Sequence, residues 1–265
     1  MRAAEAGWLP TALHEFWWFG LKQAWACLFG GLMLGLILIT AFFYPEDAAL
    51  VRYDFLFLAA CAIQIGMLAF KLETLDEAKV IFLFHLVGTA MEVFKTAQGS
   101  WIYPEEALFR IGGVPLFSGF MYAAVGSYLA RVQRIFDFGF TRYPPLWATW
   151  VVAILAYINF FTHHYTVDLR LPLIALTLAM YLPCRVYYRP ARLRLWMPLG
   201  VGFGLVALFI WFAENIGTFA GAWVYPDQAE GWQMVGFSKL GAWYLLMILS
   251  FVMVTWVQPP RAEVP

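Results

Sequence analysis

CLFGGLMLGLILITAFF, Cys27–Phe43, decides the fold class. The run is apolar from end to end and carries no charge. A strand of a membrane barrel alternates apolar and polar residues over about ten positions. This stretch does not alternate, so it reads as a helix. A helix that crosses a bilayer needs about 20 mostly apolar residues, and extending the run back to Lys22 supplies them, giving a span at about 22–43. Seven further segments have the same character, at about 54–70, 79–97, 113–133, 145–162, 170–188, 196–219 and 236–257. The expected fold is all-α, an integral membrane bundle of eight transmembrane helices in a single membrane domain over 1–265.

Composition agrees. The chain is 63% hydrophobic and 13% charged, against about 45–50% apolar and about 25% charged in soluble domains. Seventeen basic residues balance seventeen acidic ones, so no basic surplus points to nucleic acid. Cys27, Cys61 and Cys184 fall in apolar segments with no paired spacing. They read as small apolar fillers, with neither disulfide nor metal expected. The N-terminus, MRAAEAGWLPTALHEFWW, lacks the order of a signal peptide, so the first span is expected to be retained.

Cytoplasmic loops collect Lys and Arg. With the N-terminus inside, the inner side holds Arg2, Lys22, Lys71, Lys79, Arg131, Arg134, Arg142, Arg185, Arg189, Arg192, Arg194 and Arg261, and the outer side holds Arg52, Lys95, Arg110, Arg170 and Lys239. Twelve against five places both termini in the cytoplasm of a bacterium, with the protein multi-pass in its plasma (inner) membrane.

Within this pattern one motif occurs twice. EVFKTAQGSWIYPE runs from Glu92 to Glu105, and ENIGTFAGAWVYPD runs from Glu214 to Asp227. At a shift of 122 residues, identical residues align at Glu92/Glu214, Thr96/Thr218, Gly99/Gly221, Trp101/Trp223, Tyr103/Tyr225 and Pro104/Pro226, and Glu105 answers Asp227 in charge. Weaker echoes flank it in order. Phe42–Tyr44 answers Phe160–Thr162, Arg52 answers Arg170, and Phe117-Ser118 answers Phe237-Ser238. The chain therefore reads as two parallel four-helix repeats, about 16–135 and 136–257, related by a pseudo-two-fold axis along the membrane normal. Both motif copies then lie at the outer face.

Glu92 and Glu214 are the candidate catalytic residues. A charge at the centre of a membrane helix costs about 2.5–3.5 kcal/mol, so each carboxyl is expected to face protein or a water pocket. The two are expected to converge on a shared outward chamber. Lys95, three residues after Glu92, is close enough on a helix to pair with it. Glu214 has no such neighbour, and Lys239 is the substitute. Two carboxyls tuned differently are the usual mark of an acid/base pair. The glycine and proline of each copy punctuate a helix end. Trp101, Tyr103, Trp223 and Tyr225 read either as interfacial belt anchors or as walls of the chamber, able to stabilise a cation through their ring faces.

Other polar residues carry less. His163 and His164, near Asp168, are adjacent and so diverge on a helix, whereas a metal site needs three or four converging ligands. His85 shares a face with Glu92 and reads as a hydrogen-bonded interior histidine. Asn159, Asn215 and Gln64 read as glue between helices. No metal and no cofactor is expected.

At its repeated motif the chain resembles a bacterial family of multi-pass membrane proteins of unknown function, the YoaT-like proteins. The resemblance covers Phe16 to about Trp256 and implies no activity. The stretch from Glu92 to Tyr122, with GGVPLFSGFMY after the motif, is also similar to membrane carotenoid hydratases and the small-subunit type of lycopene cyclase. That likeness implies acid-assisted chemistry on a long polyene, with Glu92 and Glu214 as acids and Trp101 and Trp223 as walls facing a cation. The eight-span duplicated layout and the Glu105-Glu106 pair directly after Pro104 depart from those cyclases.

Three functions fit these features. The first is acid/base chemistry on an isoprenoid or other lipid, with a membrane lipid or hydrophobic small molecule as the bound partner. The second is a transporter or receptor for a small solute coupled to a proton or cation. Glycine clusters at Gly30, Gly31 and Gly35 and at Gly200, Gly202 and Gly204 would then let helices slide. The third is a structural subunit whose glutamates only pair with Lys95 and Lys239. Oligomeric state is not legible.

Overall fold

The computed structural model of the protein describes residues 8–263. Arg2 and the other residues of 1–7, on which part of the N-terminal reading rested, lie outside the described residues. The described chain is mostly helical: α1 (Trp8–Ala26), α2 (Leu28–Phe43), α3 (Arg52–Ala69), α4 (Leu75–Ala97), α5 (Phe117–Ile135), α6 (Leu146–Thr162), α7 (Arg170–Tyr181), α8 (Leu199–Phe219) and α9 (Ser238–Val257). Helices α3, α4, α8 and α9 are long and apolar enough to cross a membrane, and a fifth span results if α1 and α2 are taken together. These helices mark a membrane protein.

Two features depart from an all-α bundle of straight spans. The expected helix at 22–43 is broken at Cys27, and α1 meets α2 at 70°. Breaking a helix frees carbonyls, and the fully buried Arg131 donates to the Trp25 carbonyl at 2.8 Å and the Leu72 carbonyl at 3.0 Å. A cation at the C-terminal end of α1 also suits the helix dipole. The second departure is β-structure. Strands β1 (Arg110–Ile111) and β2 (Val114–Pro115) form a hairpin turning on Gly112 and Gly113. Their φ values of 58° and 84° are open to glycine without steric penalty. Strands β3 (Gly139–Thr141), β4 (Arg185–Tyr188) and β5 (Leu195–Pro198) form an antiparallel sheet in that order. The expected span at 170–188 therefore ends early, at Tyr181. Pro183 cannot continue a helix, and Arg-Val-Tyr-Tyr after it suits a strand.

Two helices form the centre. Helix α5 packs against α2, α3 and α4, helix α9 packs against α6, α7 and α8, and α5 and α9 touch each other. Their inward faces are dense: Phe117, Ala123 and Ala130 on α5, and Ile248, Val252 and Val254 on α9, are all wholly buried. Helix α4 opens with a capping box, Thr74 Oγ1 accepting from the Glu77 amide and Glu77 Oε2 from the Thr74 amide. It then lies close against α5. A Cβ at Gly88 would sit 2.6 Å from the Tyr122 ring, so the missing side chain is what lets Tyr122 cross the α4 surface. Gly88 is one turn before Glu92 on the same face, and the Tyr122 hydroxyl arrives at that carboxylate.

Candidate functional site

Both motif copies end their helices in the same way. Gly99 and Gly221 adopt φ of 67° and 65°, the left-handed turn that glycine favours at a helix C-terminus. The Ser100 amide donates to the Lys95 carbonyl and the Gly99 amide to the Thr96 carbonyl, and the Ala222 and Gly221 amides repeat this on Gly217 and Thr218, all at 3.0 Å. The chain then doubles back along its own helix, which brings Trp101 and Tyr103 to Glu92 and Tyr225 to Glu214. Ile102 and Val224 pair as an antiparallel bridge between the two copies.

Glu92 is 5% exposed. Its Oε2 accepts from Trp101 Nε1 at 2.7 Å and from the Tyr103 hydroxyl at 2.6 Å, and its Oε1 accepts from the Tyr122 hydroxyl at 2.7 Å. Hydrogen bonds to a buried carboxyl group offset part of the cost of placing it in a membrane helix. Glu214 is held by Tyr225, whose hydroxyl donates to Oε1, and by Trp243, whose Nε1 donates to Oε2. Burial first, and then the neighbouring glutamate, pushes the Tyr103 and Tyr225 phenols well above their ordinary range. They therefore stay protonated as donors.

The lysines do not pair with the glutamates as expected. Lys95, buried at 6% exposure, turns from Glu92 to His163 and His164, its Nζ 3.2 and 2.7 Å from their Nε2 atoms, with the Phe160 ring beneath it at 4.5 Å. Lys239 lies over the Tyr225 ring at 4.0 Å and the Trp101 ring at 5.5 Å. The two histidines do not diverge. Helix α6 ends at Thr162, so His163 and His164 follow the turn rather than the helix, and their ring centres lie 4.2 Å apart with the planes tilted by 36°. His163 Nδ1 lies 2.9 Å from the Asn159 carbonyl, which can only accept. Nδ1 therefore carries the proton, and Nε2 is free to accept from Lys95. Burial, then Lys95 and His163, pushes the His164 imidazole below its usual pKa.

These groups enclose one cavity of about 230 Å³. Its lining includes the polar Lys95, Lys239, Arg170, His163, His164 and Glu214 and the apolar Met91, Phe160, Leu245 and Leu249, and along α9 it runs from Lys239 in the first turn to Leu245 and Leu249 further along the helix. Of the candidate catalytic and binding residues read from the sequence, Glu214, Lys95, Lys239, Trp101 and Tyr225 line it, and His163, His164 and Asn159 line it as well. Glu92 sits behind the wall made by its own donors Trp101 and Tyr122, and Tyr103 packs on Tyr53 and Phe117. Trp223 is turned away, its ring over Gly217, where a Cβ would meet it at 2.3 Å. His85 lies against Phe120 at 4.5 Å. Sequence reading missed Tyr122, Trp243 and Arg170 as site residues. Only Arg170 left a signal, as the partner of Arg52 in the flanking echo.

Residues 15–251 match the model of a family described as protein of unknown function (DUF817). The uncharacterized protein YoaT of Bacillus subtilis (strain 168) is 41% identical over 254 residues, covering 96% of this chain and 96% of the relative. No solved structure matches.

Proposed function

Because the chain belongs to the DUF817 family, whose description carries no activity, we propose a function from the site itself: acid/base chemistry on an isoprenoid or other lipid held in an outward-facing cavity, with Glu214 as the acid. One observation carries this reading. Glu214 is fixed by Tyr225 and Trp243 in the wall of a cavity lined both by charged residues, Lys95, Lys239 and Arg170, and by apolar ones, Leu245 and Leu249 among them. Such a chamber suits one end of an amphipathic molecule whose remainder lies in the bilayer. A carboxyl immobilised by two donors is oriented toward the reacting group before it arrives, which is how positioned acids lower a barrier. Glu92 is then a positioning residue that orients Trp101 and Tyr122. Trp101 is a candidate wall for a developing cation, whereas Trp223 faces elsewhere.

The architecture in this reading is eight spans, α2 to α9, in two parallel repeats with both termini in the cytoplasm of a bacterial cell and α1 along the membrane surface. Matching glycine-terminated helix ends, a bridge between equivalent motif residues and one central helix per half all support it. So do the large apolar residues α1 exposes, among them Trp8, Phe16, Trp17 and Trp25.

Lipid co-purified with the wild type and with Glu214→Gln, compared by mass spectrometry, tests the chemistry. Different lipid masses in the two samples are expected, with substrate retained in the variant. The same species in the same amount in both would refute it. A second reading, a transporter or receptor, draws on the cavity's position among α4, α6, α8 and α9, which belong to both halves. Solute flux in reconstituted vesicles without any change in lipid mass would favour it.

A further inference from the structure

We propose that the Lys95–Lys239–Arg170 end of the cavity is an anion-binding subsite, taking the phosphate or carboxylate of a ligand whose apolar part lies toward Leu245 and Leu249. This rests on the reading of the cavity as a ligand site and names the chemical class it selects.

Charge is the first argument. Three cations from three helices line the cavity, with Glu214 as the carboxylate among its lining residues. Both Glu214 oxygens already accept from Tyr225 and Trp243. Arg170 meets Asp168 at 3.3 Å, and among the described residues neither Lys95 nor Lys239 has a carboxylate within 4.0 Å. A buried ammonium without a counter-ion is costly. Lys95 spends two of its donors on the Nε2 atoms of His163 and His164, and the Asp168 carboxylate acts on it only from beyond ion-pair distance.

The second argument is the comparison of the two copies. Counted by the motif shift, Lys95 corresponds to Gly217. Counted from the Phe117-Ser118 and Phe237-Ser238 pair, Lys239 corresponds to Gly119. Both glycines sit in packed protein. A Cβ would meet the Trp223 ring at 2.3 Å from Gly217, and Thr89 and His85 at 2.4 and 2.5 Å from Gly119. Arg52, the counterpart of Arg170, is saturated: it donates to Thr40, to the Ile37 and Ala220 carbonyls, and to Glu105. Lys95 comes from the first repeat and Lys239 from the second, and they meet with Arg170 at the one cavity. At the repeat-related positions, Gly217, Gly119 and Arg52, neighbouring side chains take the place of each lysine and Glu105 pairs with the arginine. Cations gathered at one of two related places are what recognition of an anion requires.

The test is binding to the full chain in neutral detergent by isothermal titration calorimetry, with dodecyl phosphate, inorganic phosphate and dodecanol as probes. Dodecyl phosphate is expected to bind at least tenfold more tightly than dodecanol. Lys95→Met and Lys239→Met should each weaken it at least tenfold, while Lys95→Arg, which keeps the charge, stays within about threefold of wild type. Glu214→Gln should still bind, which separates this proposal from the acid/base reading. If inorganic phosphate binds as tightly as dodecyl phosphate, the anion site stands and its natural source is a soluble anion. Equal binding of dodecanol, or undiminished binding by folded methionine variants, overturns the proposal.

Discussion

Ile102 and Val224 exchange both backbone hydrogen bonds, the Ile102 amide to the Val224 carbonyl at 3.0 Å and the Val224 amide to the Ile102 carbonyl at 2.9 Å. They occupy the same place in the two motif copies, between the Trp and the Tyr. When equivalent residues pair reciprocally in this way, a local two-fold axis passes between them. The same bridge fixes the relative position of Trp101 and Tyr225, whose rings meet edge to face at 5.8 Å and carry Lys239. Pairing of the copies and the shape of the cavity therefore share one cause.

Gly217→Val should be destabilising. Its side chain would enter the space of the Trp223 ring, and overpacking of this kind costs about 1–3 kcal/mol. Gly204→Ala on the same helix has nothing within 4 Å and removes a helix-weakening glycine, so it should be neutral or stabilising by up to about 1 kcal/mol. Thermal unfolding in detergent compares the two.

Arg131→Met should lower stability by several kcal/mol. It strands the Trp25 and Leu72 carbonyls that the guanidinium holds, and each buried group left unpaired costs about 1–3 kcal/mol. Arg131→Lys should rescue little, since one ammonium does not reproduce the planar fork that reaches both carbonyls. The midpoint of thermal unfolding reads both variants.

Glutamine should be tolerated at positions 92 and 214, and leucine should not. A glutamine oxygen can accept from Trp101 and Tyr103, or from Trp243, while its amide donates to the Tyr122 or Tyr225 hydroxyl, which can accept. Leucine would leave these buried donors without a partner, at about 1–3 kcal/mol for each. Expression level and unfolding temperature distinguish the pairs.

Stability should fall as pH drops below about 6.5, the ordinary histidine value. The folded state holds His164 below that value, so between the two values the unfolded chain binds the proton more readily and gains on the folded one. Above the ordinary value the group is neutral in both states and contributes no slope. His164→Gln should flatten the decline in unfolding temperature between pH 7 and pH 5.5. A titration of the His164 ring signal by NMR should move back toward the ordinary value in Lys95→Met.

Much of this was legible in the chain. Apolar runs locate α3, α4, α8 and α9 to within a few residues, because a long apolar helix is recorded in local composition. The twin glutamates and the aromatic residues behind them were legible as a repeated string. Three things were not. The break at Cys27 is supported by Arg131, which lies more than a hundred residues away. Tyr122 and Trp243 reach the glutamates from other helices, so no local spacing announces them. The direction of Lys95 is set by where α6 stops. Helical spacing alone favoured Glu92, and tertiary structure overrode it.

The central claim is that the two motif copies build one cavity reached from outside the cell. Ser100, inside the first copy, and Ser238, at the start of α9, both line it. Ser100→Cys and Ser238→Cys, placed singly in a chain freed of Cys27, Cys61 and Cys184, can be treated in intact cells with a membrane-impermeant maleimide. Labelling of both before permeabilisation, and its suppression by dodecyl phosphate, is the predicted result. Labelling that appears only after the membrane is opened would contradict the account.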